Sequence, residues 1–209
     1  MKATSSYPTT PERTSLEPTD ITDIKKAIEA VIFISDQPVT VDKLMQVFTE
    51  LERADIKKHV KELIEEWSEF GRGFRLEEVA GGFQFRTNPA HSEFIASFNK
   101  KVRKFRLSRA ALEVIAIIAY KQPVTKVEVE SIRGVDSSGV INALLERRIL
   151  EIKGRKEVIG KPFLYGTTEE FLEVFGLKSL SDLPTLKEID DISKNLDPGI
   201  SQNPEVAAE

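Results

Sequence analysis

The tetrapeptide QPVT occurs twice, at Gln37–Thr40 and at Gln122–Thr125, an offset of 85 residues. At the same offset Ala27 aligns with Leu112, Ala30 with Ile115, Val31 with Ala116 and Ile34 with Ala119. The repeat therefore extends backwards into the segments preceding each copy, and the chain must fold as two units of one plan. In the first unit Ile24, Ala27, Ile28, Val31 and Ile34 recur at helical spacing. The break at Asp36-Gln37-Pro38 ends that helix, because the residue before proline is driven out of the α region. Thr40 caps a second helix, VDKLMQVF. A third helix runs from about Ala54 to Phe70, with Ile56, Val60, Leu63, Ile64 and Trp67 on one stripe. FRLEEVAGGFQFRTN then alternates as a β-hairpin, with Gly81-Gly82 permitting the turn.

The second unit repeats this order. A helix, SRAALEVIAIIAY, is capped by Ser108, and KQPVT breaks it. Thr125 with Glu128 makes a capping box for KVEVESI. A third helix, DSSGVINALLERR, turns Val140, Leu144 and either Ile141 or Leu145 inward. Two strands follow around a basic, glycine-bearing tip. A last helix, TEEFLEVF, is opened by Thr167 with Glu170 and closed by Gly176. Helix, turn, helix, helix, hairpin is a helix-turn-helix with a β-wing. The fold class expected is α+β, mainly α: two tandem winged-helix domains, at 21–98 and 108–184. Residues 1–20, with three prolines, and the acidic tail 185–209 read as disordered, and 99–107 as a basic linker.

Bulk properties narrow the function. The 209 residues carry a net charge of −4, equal to that of the tail from Thr185, which holds six acids and two bases. A chain so balanced does not hold nucleic acid by bulk electrostatics. There is no cysteine, so disulfides and thiolate metal sites are excluded, and a reducing compartment fits. The N-terminus lacks the apolar core of a signal peptide, and the longest apolar runs are far too short for a bilayer.

No catalytic constellation appears. His59 and His91 are the only histidines, lie in unrelated contexts, and read as surface residues rather than catalysts or ligands. GRKEVIGKP departs from a phosphate loop in spacing and in the Pro162 that follows its lysine. No cofactor is expected. A winged helix most often reads DNA, so a dimeric transcription regulator is the alternative function. Its recognition helix, however, offers Ser137, Ser138, Asn142 and Glu146 outward, with Arg147 and Arg148 only at the end, a poor set for base readout. The run NKKVRKFRLSR is the one strongly basic stretch. Its Lys100, Lys101, Arg103, Lys104 and Arg106 either touch a DNA backbone or form a solvated linker. The first helix of each unit is apolar around much of its circumference. Such a helix is buried on more than one side, either by its own domain or by a partner.

The second unit, in ALEVIAIIAYKQPVT, IRGVDSSGVI, LLERRIL, GRKEV-GKP-LYGTT and FGLKSL-DLP, strongly resembles the segregation and condensation protein B (ScpB) family. IEAVIFISDQPVTVDKL is similar to the N-terminal unit of that family, and the likeness covers about residues 21–184. The resemblance implies a non-catalytic homodimer that binds the kleisin ScpA and, through it, the SMC ATPase of bacterial condensin. DNA contact would then be indirect or weak, no membrane would be involved, and the location would be cytoplasmic, at the nucleoid. It also implies dimerisation through the N-terminal unit, where the apolar helix offers Ala27, Ala30, Val31, Phe33 and Ile34. The kleisin is expected on the second unit, around Tyr120, Lys121, Gln122, Pro123, Arg133 and Gly134, with Arg155 and Lys161 of the wing nearby. Tyr120 either meets that partner or closes its own core.

Overall fold

The computed structural model describes residues 21–69, 71–98, 107–185 and 187–188. The first unit consists of α1 (Ile21–Ile34), α2 (Val41–Val47), α3 (Arg53–Glu69) and a hairpin of β1 (Phe74–Val79) and β2 (Gly82–Thr87). A single 3₁₀ turn, Pro89–His91, and a short α4 (Ser92–Phe98) follow. The second unit holds α5 (Arg109–Lys121), β3 (Val124–Thr125), α6 (Lys126–Arg133), α7 (Ser138–Glu146), β4 (Leu150–Arg155), β5 (Phe163–Thr167) and α8 (Glu169–Phe175). Each is a winged helix around its own hydrophobic cluster. Ile28, Ile32, Leu44, Ile56, Val60 and Leu63 form the first, and Val114, Ile118, Val129, Ile141, Leu144 and Phe171 lead the second.

The repeated tetrapeptide does the same work twice. Val39 and Phe83 exchange both backbone hydrogen bonds, at 2.9 and 3.0 Å, and Val124 pairs with Tyr165 in the matching place. The valine thus ties the break after the first helix to the second strand of the wing. The threonine after it caps the next helix. Thr40 accepts from the Lys43 amide at 3.2 Å, and Thr125 from Glu128 at 3.3 Å in a complete capping box. The glycine of the first wing turn serves this junction. A Cβ on Gly82 would lie 3.0 Å from the backbone carbons of Pro38 and Val39. The turn itself is made by Ala80 and Gly81, both at positive φ (49° and 69°), rather than by Gly81-Gly82.

On α1, Ile28 and Ile32 form the core face, and Ala27 and Ile34, expected at the dimer contact, lie on the solvent side. Several local expectations are corrected. His59 is a buried residue, because its helix turns it under the apolar stripe with Val60 and Leu63; its Nδ1 has no hydrogen-bond partner, and Glu62 lies 3.9 Å away. Ser137 is fully buried rather than outward, since its hydroxyl accepts from Arg133 and its amide donates to Glu130. Helix α8 is capped by Thr168, because Thr167 remains in β5, where its amide donates to the Gln122 side chain. Of the pair left open on α7, Ile141 is buried and Leu145 half-buried. Residues 187–188 are helical, and Thr185 and Glu188 form reciprocal capping bonds, so the first residues of the acidic tail are structured.

The two units touch directly. The amides of Ala80 and Gly81, at the tip of the first wing, donate to the carbonyls of Leu177 and Lys178 at 2.8 and 2.9 Å. Arg86 donates to the Glu173 carbonyl at 2.9 Å, at the C-terminal end of α8 where a cation meets the negative end of the helix dipole. Gln84 reaches the Glu173 carboxylate, and Lys178 pairs with Glu78 at 3.3 Å.

Candidate partner-binding surfaces

Helix α1 carries two apolar arcs. Taking about 100° per residue, Ile28 and Ile32 point one way, while Ala27, Ala30 and Ile34 share an arc on another side and Phe33 lies about 60° beyond it. Phe33 is 65% and Ile34 80% exposed, Ala27 and Ala30 are exposed, and Val31 bridges the arcs half-buried. The all-round apolar character of this helix is therefore only half used by its own domain. Phe33 stands against Phe85, edge to face at 5.9 Å, and Phe85 contacts both Trp67 and Phe74. Trp67 is held from behind by its Nε1 donating to Glu29 at 2.7 Å. The result is a rigid aromatic floor with an exposed apolar rim, the arrangement expected of a protein–protein contact.

A further exposed pair, Phe94 and Phe98 on α4, was passed over in the sequence, although their four-residue spacing on a short helix was a readable signal.

The residues expected to meet the kleisin separate into three places. Tyr120, Lys121 and Pro123 are exposed at the end of α5, and the Tyr120 hydroxyl donates to the Pro184 carbonyl at 2.6 Å. Gln122 turns inward and bridges Ala119 and Thr167, occupying the space that a side chain at Gly166 would need. Arg133 is not a surface group. Its side chain is 9% exposed, donating to Ser137 at 2.8 Å and to Glu113 at 3.2 Å, and so ties α6 to α5 and to the start of α7. Gly134 closes α6 in the left-handed conformation at φ 74°. Arg155 lies over the Phe163 ring at 4.0 Å and donates to the Lys161 carbonyl, so these two wing residues do come together. The wing tip beyond them exposes Val158 and Ile159.

Glu128 is the group with the clearest electrostatic signature. The Lys156 ammonium on the wing, with the Thr125 amide and hydroxyl, holds its carboxylate down to about 2. This ion pair, at 2.6 Å, fastens the wing to the start of α6. Lys100, Lys101, Arg103, Lys104 and Arg106 lie outside the described residues. Among the described residues no group of three His, Asp or Glu side chains could hold a metal ion, and no helix is long and apolar enough to cross a membrane.

Comparison with known proteins places this arrangement. A family model described as "Segregation and condensation complex subunit ScpB" matches residues 26–186. The chain is 47% identical over 175 residues to segregation and condensation protein B of Syntrophotalea carbinolica, covering 84% of this chain and 88% of that protein. It is 46% identical over 171 residues to the Myxococcus xanthus protein of the same name, covering 82% of this chain and 51% of that one. The crystal structure of ScpB from Mycobacterium tuberculosis is 30% identical, with 76% of this chain and 98% of that chain covered and a TM-score of 0.37. The matched span runs from α1 past α8 and takes in both winged helices, and the chain belongs to the ScpB family of segregation and condensation complex subunits.

Proposed function

We propose that this protein is a non-catalytic subunit of a bacterial SMC complex: a homodimer that holds the kleisin ScpA and acts with SMC in chromosome condensation and segregation. Membership of the family supports the assignment to a segregation and condensation complex. The observation that carries the binding role is the exposed apolar arc of α1, with Phe33 and Ile34 largely open to solvent above an aromatic cluster. The first unit, residues 21–98, supplies the dimer contact through Ala27, Ala30, Val31, Phe33 and Ile34. The second unit, residues 108–184, contributes the kleisin contact through Tyr120, Lys121 and Pro123 and through the wing at Arg155 and Lys161. Arg133, Gly134 and Gln122 support that face by fixing the helix ends behind it. Any DNA contact is through the basic run 99–107 and is secondary to protein binding.

The test is a titration of the cognate ScpA into the full chain, beside a panel of DNA duplexes. Saturable binding of ScpA with weak, sequence-independent DNA binding is expected. Tight, sequence-selective DNA binding without affinity for ScpA would make the chain a transcription regulator instead.

A further inference from the structure

Helix α4 carries its largest apolar side chains into solvent. Phe94 is 77% and Phe98 90% exposed. Four residues apart, they stand about 40° from one another, on one side of the helix. No residue of α4 is buried, and none joins the first hydrophobic cluster.

The start of this helix is nonetheless fixed. The Asn88 amide donates to the Gly73 carbonyl at 2.9 Å, and the Asn88 side chain accepts from the Ala90 amide at 3.0 Å, which opens the 3₁₀ turn leading into α4. A Cβ on Gly73 would meet the His91 ring at 3.9 Å, so the turn sits against the start of β1. Phe74, the next residue, pairs with Thr87 across the hairpin and packs on Trp67 and Phe85 at 4.7 and 5.8 Å. Phe85 in turn meets Phe33. Helix α4 therefore leaves the domain from the edge of the aromatic floor that lies under the α1 arc.

Area points to one partner for both surfaces. At about 200 Å² for a whole phenylalanine side chain and somewhat less for isoleucine, Phe33, Ile34, Ala27 and Ala30 expose roughly 350 Å². A stable interface takes roughly 800 Å² from each partner, so the α1 arc alone supplies under half of it. Phe94 and Phe98 contribute roughly another 330 Å², which brings the apolar surface close to that size. Shape agrees. The large Phe33 and Ile34 stand at the C-terminal end of the arc, while the small Ala27 and Ala30 leave a recess toward its other end. In a two-fold contact each copy offers both knob and recess to the other.

We propose that α4 is part of the dimer contact, with Phe94 and Phe98 of one protomer filling the recess over the partner's Ala27 and Ala30. This rests on the homodimer reading above and deepens it: the first and last helices of the first unit both enter the contact.

The absence of cysteine makes the test direct, because every disulfide then joins introduced residues. Full chains carrying Ala30→Cys are mixed with differently tagged full chains carrying Phe94→Cys, and separately with chains carrying Glu93→Cys, one position off the apolar side. With oxidised glutathione, the mixed dimer should form roughly tenfold faster with Phe94→Cys than with Glu93→Cys, because packing raises the local thiol concentration. Equal rates would overturn the proposal. Sedimentation equilibrium gives an independent reading. Phe94→Ala combined with Phe98→Ala should raise the dimer dissociation constant about 100-fold, as loss of two aromatic anchors does. Circular dichroism should stay unchanged, since neither ring belongs to the core. A dissociation constant that does not move would remove α4 from the contact and leave the homodimer standing, even if ScpA binding weakened. A parent chain that is monomeric at every concentration would instead remove the homodimer itself, and this contact with it.

Discussion

Arg133 stabilises its own domain. Buried against Ser137 and Glu113, it joins three helices of the second unit with one side chain. Truncation leaves the buried Ser137 hydroxyl with one fewer partner. Arg133→Ala should therefore lower stability by about 1–3 kcal/mol, read from the urea midpoint of unfolding. An unchanged midpoint would return the residue to the surface role that an Arg-Gly pair at a helix end suggests. That burial was not legible because Glu113 lies 20 residues earlier, and side-chain pairing across that distance leaves no local pattern. Glu128 gives a residue-scale pH prediction. Its carboxylate titrates at about 2 in the fold against an ordinary 4.5, so its contribution is complete above about pH 4.5 and is lost as pH falls toward 2. The side chain is 43% exposed, and solvent screening keeps the effect below roughly 1 kcal/mol. Glu128→Gln should thus weaken the protein at pH 6 and converge with the parent at the acid end of a urea titration. A constant difference across the range would contradict the linkage.

At the scale of elements, the two copies of QPVT explain why much of the fold was readable. Proline ends a helix, valine bridges to the wing and threonine caps the next helix, and each step is a local property of its residue type. The same local reading erred where two neighbouring residues could serve. It placed the α8 cap on Thr167, but hydrogen bonds in the sheet retain that residue and Thr168 caps instead. It also missed the contact between the first wing and α8, because Arg86 and Glu173 are distant in sequence and neither belongs to a motif. Gly82→Ala tests the first junction. With the new methyl 3.0 Å from backbone atoms of Pro38 and Val39, the strand must shift, at a cost of about 1–3 kcal/mol in thermal unfolding. Arg86→Ala tests the second. Small-angle scattering should report a larger radius of gyration with each domain still folded, whereas an unchanged radius would show that the backbone bonds at Ala80 and Gly81 suffice.

For the whole molecule, the first helix is the element whose sequence said most and whose role needed the structure. Its circumference was visibly too apolar for one face, but only the placement of Ile28 and Ile32 inward reveals which residues remain for a partner. Ala27 and Ile34, expected at the dimer contact, lie on the open side of the helix with Phe33. Histidine burial at His59 and the structured start of the tail at Thr185–Glu188 were hidden for the opposite reason, since both depend on what the surrounding chain brings near them. Light scattering measures directly whether that open arc joins two copies. The chain alone, of 23.5 kDa, should show twice that mass, and the mass should rise again when ScpA is added. Phe33→Asp combined with Ile34→Asp should return it to the monomer while circular dichroism stays unchanged, because both side chains lie mostly in solvent and outside the buried core. A monomeric mass for the unaltered chain, or a dimer that survives both substitutions, would contradict the account.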